Sequence, residues 1–285
     1  MKMSPGVLLI GVLAHGLAGC GGSSLPSTPA VPSPVQQPAP QPTPFQVTGR
    51  VSDTANRWLP GASVEVLTGP QAGTSTTADA AGAFSLSGAF DGTTRFRATK
   101  EGYVTATQGL TLIGTTKSIF FSLEVAGGSV NIAGNYTVTF MADSACADQL
   151  PVDVRTRTYP ATIRPDSSTT RPANTFFVAA LSGSSLDGYF SKMAIFVAGE
   201  DLVVDLSDNS ILEEVGEGRY LSIGGMGEAS LKTSGVGTIS VSLNGTFDYC
   251  VTESEMKSGY SCPSDQAIAR AQCYSKNHRL VLTQR

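Results

Sequence analysis

The stretch Gly237-Thr238-Ile239-Ser240-Val241-Ser242-Leu243-Asn244-Gly245-Thr246-Phe247-Asp248-Tyr249-Cys250 has two readings, and the choice between them sets the fold of the C-terminal half. Asn244-Gly245 is the dipeptide of a type I′ hairpin turn. A two-residue loop there would oppose Leu243 to Thr246 and Val241 to Asp248, with Phe247 and Tyr249 on the other face. Read as one strand, Ile239, Val241, Leu243, Gly245, Phe247 and Tyr249 share one face at period two. The continuous strand, bent at Gly245, keeps the apolar set together and is preferred. A strand this long and bent suits a closed or partly closed barrel.

Working outward, Tyr136, Val138 and Phe140 alternate in a first strand of this half. Residues 154–163 (with Arg155 and Arg157 on one face), 175–181, 189–197, 201–206, 220–223, 229–231 and 279–283 read as further strands. Residues 142–149 suit a short helical turn. Residues 264–271 have helical propensity, with Ser264 or Asp265 as cap. Gly224-Gly225-Met226-Gly227 reads as a bulge or turn; no Gly-Lys-Ser/Thr follows, so it is not a phosphate loop. Four cysteines, Cys146, Cys250, Cys262 and Cys273, all fall in this half. In an exported chain an even number reads as disulfides, and four allow three pairings. Cys146 with Cys273 and Cys250 with Cys262 is the preferred set.

The other half has the same texture. Phe45, Val47, Gly49 and Val51 alternate with polar residues, as do Ala62, Val64 and Val66, then Phe84 and Leu86, Phe96 and Ala98, and Ile119, Phe121 and Leu123. Pro60-Gly61, 79–82 and 100–103 are turns, and Gly82 is expected at positive φ. About seven short strands in roughly eighty residues is the spacing of a β-sandwich. Four blocks stand out: Thr48-Gly49-Arg50-Val51-Ser52-Asp53, Leu59-Pro60-Gly61-Ala62-Ser63-Val64, Ala78-Asp79-Ala80-Ala81-Gly82-Ala83-Phe84-Ser85-Leu86, and Ala98-Thr99-Lys100-Glu101-Gly102-Tyr103. In order and spacing this segment resembles the carboxypeptidase regulatory-like domain, a transthyretin-like sandwich of bacterial envelope proteins. Ala78 departs from the family, which usually has Thr there. The resemblance implies no peptidase chemistry, and grouping with carbohydrate-binding-like folds makes sugar a weak inference. Trp58, the single Trp, either stacks on a ligand ring or caps the sandwich end; Tyr103 packs an edge. Trp58 and Tyr103 are the candidate ligand contacts. Residues 129–285 resemble small lipocalin-like barrels of envelope lipoproteins. The carrying residues are Gly134-Asn135-Tyr136-Thr137-Val138-Thr139, Leu150-Pro151, Arg155-Thr156-Arg157-Thr158-Tyr159, and Cys273 ahead of His278-Arg279-Leu280-Val281-Leu282.

At the start of the chain, Lys2 precedes a short apolar run over 7–17, too short for a permanent span of roughly 20 residues. Leu17-Ala18-Gly19-Cys20 resembles the lipobox of bacterial lipoproteins. That resemblance implies removal of a signal over 1–19, acylation of the Cys20 thiol and a lipid anchor in the membrane. Gly21, rather than Asp, implies the outer membrane. Residues 20–44 then carry eight prolines from Pro26 to Pro44. Such a segment favours extended polyproline II at about 3.1 Å per residue, a stalk on the order of 70 Å long.

Composition excludes more than it assigns. The 285 residues carry a net charge of −4 with no basic patch, which argues against nucleic acid as a partner. Beyond Cys20 the single histidine is His278, read as a surface residue at the start of a strand. Glu200, Asp201, Asp205 and Asp208 read as a solvated strand edge, without the order of an EF-hand. Glu213 and Glu214 would point to opposite faces of a strand, which does not suit a glycosidase pair. The reading is an all-β chain: signal 1–19, lipidated Cys20 and linker 20–44, a transthyretin- or Ig-like sandwich 45–124, and a disulfide-braced β-barrel or sandwich 129–285. The expected function is a tethered, non-enzymatic binding lipoprotein without metal or cofactor, its partner a glycan or another envelope protein. A structural or assembly factor of the envelope and a hydrolase with an unrecognised site stay as alternatives.

Overall fold

The computed structural model describes residues 45–110, 117–168, 170–188, 190–207, 211–252 and 267–285. Cys20 and the proline-rich segment, Tyr189, Asp208 and Cys262 lie outside the described residues. The N-terminal alternation builds seven strands: β1 (Phe45–Asp53), β2 (Ser63–Thr68), β3 (Ser75–Thr77), β4 (Ala83–Gly88), β5 (Arg95–Thr99), β6 (Ala106–Gly109) and β7 (Lys117–Leu123). They form two sheets, β4-β1-β7 and β3-β2-β5-β6, with β7 parallel to β1. Val47, Val51, Phe84 and Phe121 from one sheet share a core with Val64, Val66, Phe96 and Ala98 from the other. Asp79 folds the third block's turn by accepting N–H bonds from Ala81 and Ala83 at 2.8 and 2.9 Å. Gly82 then takes φ +67°, where a Cβ would stand 2.5 Å from the Val51 carbonyl oxygen.

The C-terminal strands are β8 (Gly134–Met141), β9 (Thr156–Pro165), β10 (Phe176–Leu181), β11 (Lys192–Ala198), β12 (Asp201–Asp205), β13 (Ile211–Gly216), β14 (Arg219–Ser230), β15 (Thr238–Thr252) and β16 (Ala267–Gln284). They pair in the order β12-β11-β10-β9-β8-β16-β15-β14, and β12 pairs again with β14. That last pairing closes an eight-stranded barrel and leaves none of its strands with a free edge along its whole length. β13 runs on beyond β12 along the first half of β14. An eight-stranded barrel has an interior just wide enough for side chains. Here Tyr136, Phe140, Phe177, Met193, Ile195, Ile239, Phe247 and Leu280, all buried, fill it.

β15 is one strand through Asn244-Gly245, with Ile239, Val241, Leu243, Gly245, Phe247 and Tyr249 turned inward. Gly245 lies opposite Gly225, and a Cβ on it would be 2.1 Å from the Gly224 carbonyl oxygen. The ladder slips beside it, between Leu243 and Gly245, where β16 carries one extra residue. Gly224 to Gly227 make neither the expected bulge nor a turn but the regularly paired middle of β14. Of the expected helix over 264–271, residues 264–266 lie outside the described residues, and the rest is overturned: Ala267 to Ala271 are strand, paired with Thr252 to Tyr249. Ladder hydrogen bonds to the long β15 override the local propensity of Ala-Ile-Ala-Arg-Ala.

Replacing Gly245 by Ala is expected to cost about 2–3 kcal/mol of stability, because the clash is with backbone that cannot step aside. Urea unfolding of G245A beside the exposed control S242A checks this; equal midpoints would show that the crossing yields to a methyl group.

Candidate functional site

The last residue of β1 is Asp53, the acidic residue of the first block. Its buried Oδ1 accepts the N–H groups of Ala55 and Arg57 at 2.9 and 3.0 Å, which curls 53–57 into a tight loop. Its Oδ2 accepts Arg57 Nε at 2.8 Å. The same guanidinium donates through Nη1 to Asp201 Oδ2 on β12, also at 2.8 Å. The Thr54 hydroxyl donates to the Val197 carbonyl of β11 at 2.8 Å, and Ala55 is buried beside Ala198 and Val203. One loop of the sandwich is thus bolted to the β11–β12 hairpin of the barrel, and the two modules form one compact unit.

Beside this clasp lies a cleft of about 490 Å³. Arg57, Tyr103, Val125, Glu200, Asp201 and Lys232 line it, with the backbone of Gly127 to Ser129. Its charges are matched: Arg57 meets Asp201, and Lys232 lies 3.7 Å from Glu200. Burial pushes the Tyr103 phenol up, and the Asp53 charge adds to this against the opposing pull of Arg57. The phenol therefore stays a hydrogen-bond donor at neutral pH. Burial also raises the Asp201 carboxyl, but hydrogen bonds from Arg57 and Ser230 and the Arg57 and Lys232 charges outweigh it and hold Asp201 low. Such a cleft offers a neutral polar ligand one ring, several donors and acceptors, and no net charge.

Of the two candidate contacts, Tyr103 lines the cleft and packs against the sandwich core, while Trp58 does not line it. Trp58 is 46% exposed, and the Arg50 guanidinium sits 4.8 Å from its ring centre. The structure does not bring Trp58 and Tyr103 into one site. Cys146 and Cys273 are joined across 127 residues, with Cα atoms 5.7 Å apart. Cys250 is oxidised in a disulfide, and Cys262 lies outside the described residues.

Two readings of charged residues, Asp201 and His278, need correction, while Glu213 and Glu214 do face opposite ways, the first buried and the second exposed. Asp201 is not on a solvated edge: β12 is paired on both sides, and Asp201 holds the clasp. Glu213 is buried in β13, and its carboxylate accepts bonds from Arg157, Tyr159 and Ser185. Burial pushes Glu213 up, yet those donors together hold it below the usual range. His278 is fully buried in the middle of β16, 4.8 Å from the Phe247 ring. Its Nδ1 accepts the Asp143 N–H at 2.9 Å, so the ring is neutral with its proton on Nε2. Nε2 is buried without a hydrogen bond. Burial pushes His278 below its ordinary value, against the opposing pull of the Cys273 and Gly245 carbonyls and the Asp143 charge. Arg57 was missed as a bridging residue. Its signal was local, an Arg four places after the Asp that ends the first block, but its partner is 144 residues away. Among the described residues, no three His, Cys, Asp or Glu side chains converge as a metal set.

Comparison with known proteins fits the first module. Residues 46–124 match the family model of the carboxypeptidase regulatory-like domain. No curated protein matches the chain. A solved structure from Bacteroides fragilis, described as a membrane-associated protein of unknown function, is 10% identical. It covers 85% of this chain and 95% of that one, with a TM-score of 0.24, too low to support any argument.

Removing the bridging guanidinium in R57A should lower stability by about 2 kcal/mol, since Asp53 keeps only its backbone donors. D201N, which breaks only the half-exposed arm, should cost about 1 kcal/mol or less. Urea unfolding of both variants measures this, and no loss in R57A would mean the clasp holds nothing.

Acid should weaken the fold through His278. Its folded pKa lies below the unfolded value of 6.5, so its contribution is full above pH 6.5 and fades as pH falls through the folded pKa. Protonation would put two donors face to face at Nδ1 and the Asp143 N–H. Unfolding midpoints from pH 7.5 to 5 should fall in the wild type and stay flatter in H278Q, whose amide oxygen can accept that N–H. Parallel curves for the two proteins would assign the loss to other groups.

Proposed function

We propose that this chain is a membrane-tethered, non-enzymatic lipoprotein of the cell envelope that acts as a binding module. The single observation behind the binding mode is the filled barrel interior. Among the described residues the inward side chains leave a ligand no interior cavity such as a hollow lipocalin has, so recognition falls to outer surfaces and to the cleft beside Arg57. The regulatory-like domain at 46–124 fits a non-catalytic module. The state of the reactive groups supports the same reading. His278 is sealed away, and the Glu213 carboxylate is committed to Arg157, Tyr159 and Ser185. The tether rests on Leu17-Ala18-Gly19-Cys20, with two or more acyl chains giving stable anchorage at roughly 0.8 kcal/mol per buried CH₂. Glycan is the ligand class favoured for the module, and the outer membrane its expected location.

A second reading, an assembly or structural factor of the envelope, is favoured by Phe120. This ring is 66% exposed on the outer face of the β4-β1-β7 sheet, in register with Arg50. A solvent-facing aromatic beside a cation suits a protein partner.

Intact mass of the protein extracted from membranes, beside C20A, tests the tether. The expected result is a chain beginning at Cys20 that carries two or three acyl groups, with mass and membrane association both lost in C20A. A wild type that is soluble and unacylated would remove the tether from this reading.

A further inference from the structure

The outside of the barrel carries a second hollow that neither the sandwich nor the clasp uses. Cross-strand pairing sets three rows over β14, β15 and β16: Ser222, Asp248 and Gln272; Gly224, Thr246 and Tyr274; then Met226 and Asn244. Gly224, Gly225 and Gly245 meet here with no room for a Cβ on Gly225 or Gly245, so the floor is bare backbone. The result is a depression of about 340 Å³ between Ser207 on one side and Tyr274 on the other. That volume falls within the range of small-molecule sites, roughly 300–1,000 Å³.

Its chemistry is selective. Tyr274 is 62% exposed, and its hydroxyl donates to Asn244 Oδ1 at 2.6 Å, which pins both side chains. Among the described residues Asp248 is the one carboxylate in the lining, and Arg270 grips both its oxygens at 2.9 and 2.7 Å. Among the described residues no Lys, Arg or Glu lines the hollow, so an anion finds no counter-charge from them. A cation finds its carboxylate already neutralised. An apolar ligand finds little to bury against: Leu206 is fully buried, and Met226 stands at the end of the rows. What remains is an open aromatic ring beside amide, hydroxyl and carbonyl groups over a backbone floor. We infer that this hollow is a binding site for a neutral sugar ring, one pyranose of a glycan stacking its C–H face on Tyr274. Asn244, Thr246 and Gln272 lie in reach of its hydroxyls. The inference rests on the binding-module reading and gives that reading a site on the barrel rather than on the sandwich.

The test is isothermal titration calorimetry on the full chain, extracted from membranes in detergent. The probes are cellohexaose, xylohexaose, mannohexaose and chitohexaose. Saturable heat is expected with at least one of them. Y274A should then weaken binding roughly tenfold, and Y274F, which keeps the ring, by about threefold or less. W58A should bind as the wild type does. Tyr274 is exposed enough that folding should survive, and unchanged unfolding midpoints verify this. No heat with any of the four probes, or binding indifferent to Y274A, overturns the site. Binding lost in W58A instead would move the ligand to the sandwich, sinking this inference while leaving the binding-module reading in place.

Discussion

A buried carboxylate needs partners, and in this protein that need joins two modules. Asp53 ends a strand of the sandwich inside the protein, where an unpaired charge would cost several kcal/mol. Two backbone N–H groups and Arg57 satisfy it, and the guanidinium has donors to spare. Those donors reach Asp201 on the barrel. Requirements inside one module therefore orient the other, and the inter-module cleft takes its shape from that orientation. Thr54 and Ala55, the neighbours of Asp53, add a hydrogen bond and apolar burial, so the joint is more than an exposed ion pair.

The barrel obeys a different constraint, that of volume. Eight strands leave room for side chains and little else. Phe140, Phe177, Phe247 and their neighbours use that room, and Glu213 with Arg157 and Tyr159 forms a polar knot in the wall. Three glycines let β14 and β15 approach where side chains would collide. With the interior filled by side chains, the surfaces left open to contact are the outer ones. The Tyr274 hollow, the Arg57 cleft and the exposed Trp58 and Phe120 are all on outward-facing surfaces.

The strands were legible because their apolar residues alternate without interruption, and period two is a local property. The four blocks of the sandwich were legible for the same reason, each being a turn or strand written in contiguous residues. The continuity of β15 through Asn244-Gly245 followed from which face each apolar residue must occupy. The true extent of β16 was not legible: Ala267 to Ala271 favour helix on their own and become strand because β15 is there to pair with them. β13 was passed over because Glu213 and Glu214 interrupt its apolar pattern, and Glu213 is buried only because Arg157, Tyr159 and Ser185 converge on it.

By itself, then, the sequence determined the all-β class, the two-module order, the regulatory-like domain, the turn glycines and which cysteines were available for bonds. Each of these depends on residues close together in the chain. Tertiary structure alone decided that the barrel closes through β12 and β14 and that its interior is filled. It also decided that Arg57 meets Asp201, that Trp58 and Tyr103 stand apart, and that His278 is buried rather than on the surface. Each of those outcomes depends on groups far apart in sequence, where burial and hydrogen-bond satisfaction are settled only after the chain has packed.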